Sequence, residues 1–113
     1  MARAPTTADV FNAIGDSSRH RILDRLGRGE ATVTELTATL GVGQQYVSKH
    51  LAVLRSVDVV RCRRVGRTRR YRVHPPGLVP LRAWLDDLVL EVNANYDRLD
   101  DYLAQLQEPG GAG

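Results

Sequence analysis

The sequence contains little of what marks several large classes of protein. Its 113 residues include a single cysteine, which cannot form a disulfide within the chain, so nothing in the sequence indicates an oxidising compartment. No apolar run approaches the roughly 18 residues that a membrane-spanning helix needs. The first residues are small and polar and lack the apolar segment of a signal peptide. We therefore expect a cytoplasmic protein that does not associate with membranes.

The motifs of common enzyme classes are also missing. The sequence has no glycine-rich phosphate loop, no nucleophile elbow and no pair of carboxylates that predicts a catalytic pocket. Ser48 and His50 lie two positions apart, and residues at that spacing point to different faces of a helix, so they cannot act as a catalytic pair. We therefore expect no enzymatic activity, and no cofactor except the divalent metal considered below.

Lysine is nearly absent: the sequence has one lysine, and the other fifteen of its sixteen basic residues are arginine. Residues 1–82 hold fifteen bases and six acids, a net charge of +9, whereas residues 83–113 hold one base and seven acids, a net charge of −6. A basic region attracts phosphate groups whatever the nucleic-acid sequence. The asymmetry predicts a nucleic-acid-binding region followed by an acidic segment with another role. A solvated arginine-rich surface is the simpler alternative.

Apolar spacing and capping residues predict four short helices in the first half of the chain. Asp16 or Ser17 can cap the second helix, and Thr32 with Glu35 fits the capping box that opens the third. Gly41 suits a left-handed C-cap at the end of the third helix. The predicted helices cover residues 7–14, about 17–26, 33–40 and 44–56.

The apolar period then changes from 3.6 to 2, which predicts a β-hairpin with strands at residues 59–64 and 69–73 and a turn at 65–68. A long helix follows over residues 78–107, and its apolar residues recur at steps of three and four. We therefore expect one domain, residues 8–107, between a flexible N-terminal arm (1–7) and a flexible tail (108–113).

Two short helices joined by a glycine turn and followed by a basic hairpin have the order of a winged helix-turn-helix fold. The predicted fold is mainly α with a small β-hairpin, in the order α-α-α-α-β-β-α. With Val47, Leu51 and Leu54 inside, the fourth helix presents polar side chains that can read bases or contact phosphates in a major groove. The candidate DNA-binding residues of this helix are Gln44, Gln45, Tyr46, Ser48 and Lys49.

The predicted hairpin carries seven arginines and no acid within residues 61–72. Because residues 61–72 contain no acid, we expect these arginines to be unpaired and free for a minor groove or the phosphates beside it. A charged edge that prevents sheet-to-sheet pairing is the alternative, but two or three arginines would be enough for that. The candidate DNA-binding residues of the hairpin are Arg61, Arg63, Arg67, Thr68 and Arg69.

Three motifs resemble those of ArsR/SmtB-type bacterial transcriptional regulators. The stretch Val47-Ser48-Lys49-His50-Leu51, within residues 35–54, resembles the helix-turn-helix of that family. Residues 16–23 resemble its "D-x-x-R-x-x-I-L" helix, and residues 66–71 resemble its wing. Gly43 departs from the pattern, because family members often place a serine there as the helix cap.

The resemblance implies a homodimer, built on the first and last helices, that binds palindromic double-stranded DNA and usually represses transcription. The sequence agrees, because the apolar seam of the last helix runs for about seven turns, more than one small domain can cover. A two-fold dimer would place two recognition helices about one DNA turn apart. The candidate dimerisation residues are Phe11, Leu85, Leu88, Val92, Tyr96, Leu99 and Leu103.

Many members of the resembled family release DNA when they bind metal. Their common sites need a Cys-x-Cys in the third helix, or histidines in the last helix, and this sequence has neither. It therefore resembles a branch of the family that is poor in metal ligands. His20 and Asp24, at i and i+4 on one helix face, could hold Ni²⁺, Co²⁺ or Zn²⁺ with carboxylates from a partner chain, although a surface His–Asp pair is the simpler interpretation.

Two other possibilities stay open. Cys62 stands among arginines that would favour its thiolate and a redox switch, whereas strand alternation predicts that it points inward as an inert apolar residue. A winged-helix adaptor that binds RNA or protein is a further alternative, but such an adaptor would need an exposed apolar patch instead of a polar reading face.

Overall fold

The structure is a computed structural model that describes residues 5–107. Five helices, one 3₁₀ turn and a two-stranded hairpin follow one another along the chain. The elements are α1 (Thr7–Ile14), α2 (Ser17–Leu26), α3 (Val33–Leu40), α4 (Gln44–Ser56), β1 (Val60–Val65), β2 (Thr68–Val73), the 3₁₀ turn Pro75–Leu78, and α5 (Val79–Gln107). The chain divides into two units, the first ending at Leu81 and the second beginning at Arg82. The mainly helical winged fold predicted from the sequence is confirmed.

Local capping sets the helix boundaries, as the sequence predicted. The carboxylate of Asp16 accepts hydrogen bonds from the amides of Ser18 and Arg19 at the start of α2. Thr32 and Glu35 form the capping box of α3, which ends at Gly41 in the left-handed conformation (φ 68°). A second capping box, between Thr6 and Asp9, opens α1 and was not predicted from the sequence.

The core of the first unit forms where α1–α4 pack on the base of the hairpin. The inward residues predicted for α4 are confirmed, since Val47, Leu51 and Leu54 are at most 1% exposed. Burying such side chains removes apolar surface from water, which stabilises the fold by about 25 cal/mol for each Å² of apolar surface buried. The other core residues are Val10, Ala13, Ile22, Leu26, Ala31, Leu36, Val57, Val59, Val60 and Tyr71.

Strands β1 and β2 pair antiparallel, with Val60 opposite Val73 and Val65 opposite Thr68. The connecting turn is shorter than the sequence predicted, because Gly66 adopts a positive φ of 63° and the chain reverses within two residues. Val65 and Thr68 therefore belong to the strands.

A third segment, which the sequence analysis did not predict, joins the hairpin. The amide of Ala31 donates to the carbonyl of Tyr71 at 3.1 Å, and the amide of Tyr71 donates back at 2.8 Å. Tyr71 is also buried, at 8% exposed. This bridge attaches the middle of β2 to the segment that precedes α3, so the hairpin is held against the helix-turn-helix.

Helix α5 begins one residue later than expected, because Pro75–Leu78 forms a 3₁₀ turn before it. It is 29 residues long, and none of its residues is buried within the part of the chain that the structure describes. Its early residue Leu81 lies in the first unit and packs against the core there. Among residues 5–107, no helix is both long enough and apolar enough to cross a membrane.

Candidate nucleic-acid interface

The outer face of α4 is polar and open to solvent. Its exposed side chains include all five residues predicted there from the sequence, Gln44, Gln45, Tyr46, Ser48 and Lys49. The opposite face is buried in the core, so the helix cannot turn this polar face inward without losing apolar burial. The structure therefore provides a row of hydrogen-bonding groups of the kind that reads base edges.

The first turn of α4 has no side-chain cap. Gly43 occupies the N-cap position with extended backbone (φ −74°, ψ 158°) and supplies no side-chain hydrogen bond. Helices usually begin at a serine, threonine, aspartate or asparagine that satisfies one of the first amides. Other contacts must therefore fix the start of this helix.

Tyr46 supplies one of those contacts. Its hydroxyl forms a hydrogen bond with the Ser18 hydroxyl on α2, and its ring meets the His50 ring edge-on, with ring centroids 4.5 Å apart. The side chain is 41% exposed, at the edge of the polar face where the sequence analysis expected it. The bond to Ser18 is between residues 28 positions apart, so no sequence pattern indicated it.

His50 is buried on the inner side of α4, at 7% exposed, and faces Arg19 of α2. The guanidinium Nη1 lies 3.4 Å from the His50 Nδ1. Arg19 is half-buried, because α1 ends beside it and the carbonyls of Ala13 and Asn12 accept hydrogen bonds from its Nε and Nη2. Nearby, the backbone amide of Arg19, together with that of Ser18, holds the pKa of Asp16 below its ordinary value of 3.8.

The base of the hairpin contains two bidentate ion pairs. Arg61 donates to both carboxylate oxygens of Asp58, at 2.9 and 3.1 Å. Arg63 donates to both oxygens of Glu30, each at 2.8 Å. The expectation that no acid pairs with the hairpin arginines is wrong for these two, and also for Arg70, whose Nη1 lies 3.8 Å from a carboxylate oxygen of Glu35. In each case the acid comes from a segment outside the hairpin.

These pairs also shift the titration of their members. The hydrogen bonds from Arg63 hold the pKa of Glu30 below its ordinary value of 4.5, and those from Arg61 hold the pKa of Asp58 below 3.8. The same hydrogen bonds raise the pKa of both guanidinium groups. Arg61 and Arg63 are therefore charged and already engaged at the base of the hairpin.

The tip of the hairpin differs from its base. Arg64, Arg67 and Arg69 are exposed, and none of them forms an ion pair with another residue of the 5–107 range. Thr68 points its hydroxyl back to the carbonyl of Val65 at 2.9 Å, which closes the turn. Three positive charges that have no ion-pair partner among residues 5–107 therefore lie at or beside the tip of the hairpin.

A cleft of about 270 Å³ lies between the hairpin tip and the helix-turn-helix. Gln44 from the first turn of α4 and Arg67 with Arg69 from the hairpin line the same cleft, together with the first residues of the α3 segment. The structure thus brings together Gln44 of α4 and two arginines of the hairpin that are more than twenty positions away from it in the sequence.

The candidate metal ligands do not form a cluster. His20 and Asp24 are exposed on α2, and residues 5–107 contain no group of three or more His, Cys, Asp or Glu side chains that could hold a metal ion. Cys62 is half-buried on the side of β1 that packs against the core, which confirms its predicted inward direction.

The candidate dimerisation residues of α5 are exposed, from 39% for Val92 to 62% for Tyr96. The others in this seam are Leu85, Leu88, Leu99 and Leu103. Phe11 on α1 is half-buried. An apolar row of this length on one helix is far more than scattered surface residues would provide.

Comparison with known proteins places these features in a family. The family described as "Helix-turn-helix domain" matches residues 14–63. The HTH-type transcriptional regulator Rv2034 of Mycobacterium tuberculosis is 36% identical over 99 residues, which cover 88% of this chain and 91% of that protein. The arsenic resistance transcriptional regulator ArsR1 of Pseudomonas putida is 37% identical over 112 residues, covering 97% of this chain and 84% of that protein.

Solved structures agree with these sequence matches. An ArsR-like transcriptional regulator from Rhodococcus sp. RHA1 superposes with a TM-score of 0.75 at 31% identity, covering 89% of this chain and 92% of that one. A possible transcriptional regulator for arsenical resistance superposes with a TM-score of 0.66 at 34% identity, covering 88% of this chain and 98% of that one.

Proposed function

Because the chain belongs to the ArsR/SmtB family of helix-turn-helix transcriptional regulators, we propose that it represses transcription as a homodimer bound to a palindromic operator. That family consists of DNA-binding regulators and not of enzymes. The observation that carries the finer proposal is the shared cleft, in which Gln44 of α4 and Arg67 and Arg69 of the hairpin face the same space.

In this proposal α4 enters the major groove with its polar face toward the bases. Gln44 and Gln45 can each form two hydrogen bonds with an adenine, and Ser48 with Lys49 can meet base edges or the adjoining phosphates. The buried opposite face keeps the helix in that orientation, since rotating it would expose Val47 and bury polar groups.

The hairpin acts as the wing. Its tip, with Arg67, Thr68 and Arg69, binds phosphates or the minor groove beside the half-site. Arg61 and Arg63 add positive charge at the base of the wing. Because they form bidentate pairs with Asp58 and Glu30, they hold the wing in place more than they bind phosphates.

The homodimer is proposed from the exposed seam of α5. Val92 and Leu99, for example, are 39% and 51% exposed to solvent, and a second copy of the chain can cover them. The acids Asp86, Asp97 and Asp101 lie off this seam and would remain in water. A two-fold dimer would present two copies of α4 about 34 Å apart, one turn of DNA.

DNase I footprinting on the DNA upstream of the gene tests the proposal. We expect two symmetric protected half-sites, with centres about 10 base pairs apart or a multiple of that. Alanine at Gln44 or Gln45 should remove ~1–3 kcal/mol of discrimination at particular positions of each half-site. A footprint with no two-fold symmetry, or equal weakening on every duplex, would contradict the proposed arrangement.

A further inference from the structure

Five residues form a closed set of contacts, through side chains and two backbone amides, behind the polar face of α4. The Asp16 carboxylate accepts hydrogen bonds from the amides of Ser18 and Arg19. The Ser18 hydroxyl bonds to the Tyr46 hydroxyl, the Tyr46 ring contacts the His50 ring, and the Nδ1 of His50 faces the Arg19 guanidinium. We propose that Ser18 and Arg19 are positioning residues for DNA recognition, which act through Tyr46 and His50 to set the orientation of α4. This inference rests on the proposed function.

The contact between Ser18 and Tyr46 fixes the start of α4. Gly43 provides no side-chain cap, so the first turn of α4 lacks the usual local anchor. The amide of Ser18 donates to the Asp16 carboxylate at 2.8 Å, which holds this serine in the first turn of α2. A tyrosine bonded to that serine ties the first turn of α4 to a fixed point on the neighbouring helix.

The contact between Arg19 and His50 fixes the same helix one turn further on. The guanidinium donates to the carbonyls of Ala13 and Asn12 at the end of α1 while its Nη1 faces the His50 Nδ1 at 3.4 Å. A planar fork with several donors can serve three acceptors at once, which a lysine ammonium cannot do in the same geometry. Arg19 therefore links α1, α2 and α4.

That geometry assigns a tautomer to His50. Arginine only donates hydrogen bonds, so the Nδ1 that faces Arg19 must accept, and the neutral ring then carries its proton on Nε2. The tautomer of His50 is a spectroscopic signature of this contact, separate from the stability of the protein.

Positioning residues have a distinctive effect on binding. Base readout depends on the placement of side chains such as Gln44 to within about half an ångström, whereas non-specific binding depends mainly on the number of phosphates neutralised. Loss of the Ser18–Tyr46 bond should therefore weaken binding to the operator and leave binding to a scrambled duplex unchanged. If the Tyr46 hydroxyl instead contacted DNA directly, removing the Ser18 hydroxyl would not change the affinity for the operator.

A double-mutant cycle separates these two roles. Ser18→Ala and Tyr46→Phe each remove one partner of the bond, and we expect each to weaken operator binding about three- to tenfold, as for one net hydrogen bond. The double variant should lose no more than either single one. Ser17→Ala and Tyr102→Phe are the matched controls, an exposed serine beside Ser18 and an exposed tyrosine on α5, and both should bind like the wild type.

The same cycle can overturn the inference. If Tyr46→Phe weakens binding and Ser18→Ala does not, or if the two losses multiply, the hydroxyl contacts DNA and does not position α4. If neither variant changes operator affinity, the bond positions nothing. A wild-type protein that binds operator and scrambled DNA equally would instead overturn the proposed function, and this inference with it.

Arg19→Lys gives a second test, because it keeps the charge and removes the fork. We expect operator affinity to fall at least threefold with unchanged affinity for scrambled DNA, and the nitrogen NMR signals of His50 to lose the pattern of a pure Nε2-H tautomer. An unchanged His50 spectrum together with unchanged operator affinity would contradict a positioning role for Arg19.

Discussion

Gly77 lies directly against the backbone of Asp58: a Cβ atom built on the glycine would come 1.9 Å from the Asp58 carbonyl oxygen and 2.6 Å from its carbon. Asp58 itself has a positive φ of 62°, which is uncommon for a residue other than glycine. The 3₁₀ turn after the wing thus packs on the left-handed turn before it. Both ends of the wing are held at one point.

Replacing Gly77 with alanine should therefore lower the free energy of unfolding by about 1–3 kcal/mol, because backbone atoms must move to admit the methyl group. Gly43→Ala is the comparison variant: a Cβ there would meet nothing within 4 Å, so any loss of stability reports only the poorer N-cap that alanine makes for α4. Urea unfolding at one fixed protein concentration measures both changes. Equal stability of the Gly77→Ala variant and the wild type would show that this contact is not tight.

The wing tip should determine part of the salt dependence of DNA binding. Arg67→Ala and Arg69→Ala should each reduce the slope of log K against log salt concentration by about 0.9, because each removes one phosphate contact. Arg98→Ala is a suitable control, since that side chain bonds within α5 to Ala94 and Asn95. The slope comes from anisotropy titrations at several salt concentrations, and an unchanged slope would place both arginines outside the interface.

Removing an entire ion pair at the base of the wing should act differently. The double variant Glu30→Ala with Arg63→Ala leaves the net charge unchanged, because it removes one acidic and one basic side chain. In the wild type these two side chains form an ion pair with each other. We expect the salt slope to stay within experimental error of the wild-type value. A fall of about one unit would mean that Arg63 leaves Glu30 to bind a phosphate.

The seam of α5 should hold the dimer together. Val92→Asp would place a carboxylate in an apolar interface, which costs several kcal/mol unless the charge is neutralised, so we expect monomers that bind DNA weakly. Leu90→Asp is the matched control, because Leu90 is 67% exposed and lies off the seam. Sedimentation velocity distinguishes the two states, and a Val92→Asp variant that remains dimeric would place the interface elsewhere.

The free energy of unfolding should fall in acid partly because the ion pair between Glu30 and Arg63, at the base of the wing, is lost. Since Arg63 lowers the pKa of Glu30 in the folded state, this group stabilises the fold above its ordinary pKa of 4.5 and loses that contribution as the pH falls through the lower, folded value. Glu30→Gln should therefore flatten the loss of stability below pH 4.5. Asp97→Asn, on the polar side of α5, is the control, and identical pH profiles for wild type and Glu30→Gln would contradict this role.

Local structure could be predicted from the sequence because its causes are local. Capping by Thr32 and Glu35, the left-handed Gly41 and the apolar spacing of Val47 and Leu51 each act within one or two helical turns. For that reason the bounds of α1, α3 and α4 agree with the prediction. The turn at Gly66 was placed too broadly, because the pairing of the flanking residues depends on the hairpin as a whole.

The side-chain partners could not be predicted in the same way. Glu30 pairs with Arg63 across 33 positions, and Ser18 bonds to Tyr46 across 28, and no periodicity links such residues. The environment of Arg19 depends on where α1 ends in space, which apolar spacing does not reveal. The exposed polar face of α4 could be predicted from the sequence, whereas the contacts between α4 and α2 behind it required the structure.

The most direct test of the account is an anisotropy titration of the purified protein on the duplex upstream of its own gene and on a scrambled duplex, in EDTA and across a range of salt. We predict a preference of about a thousandfold or more for the native duplex, as expected for a regulator that reads sequence without added metal. Equal and steeply salt-dependent binding to both duplexes would contradict the account, because only the electrostatic attraction of the wing would then remain.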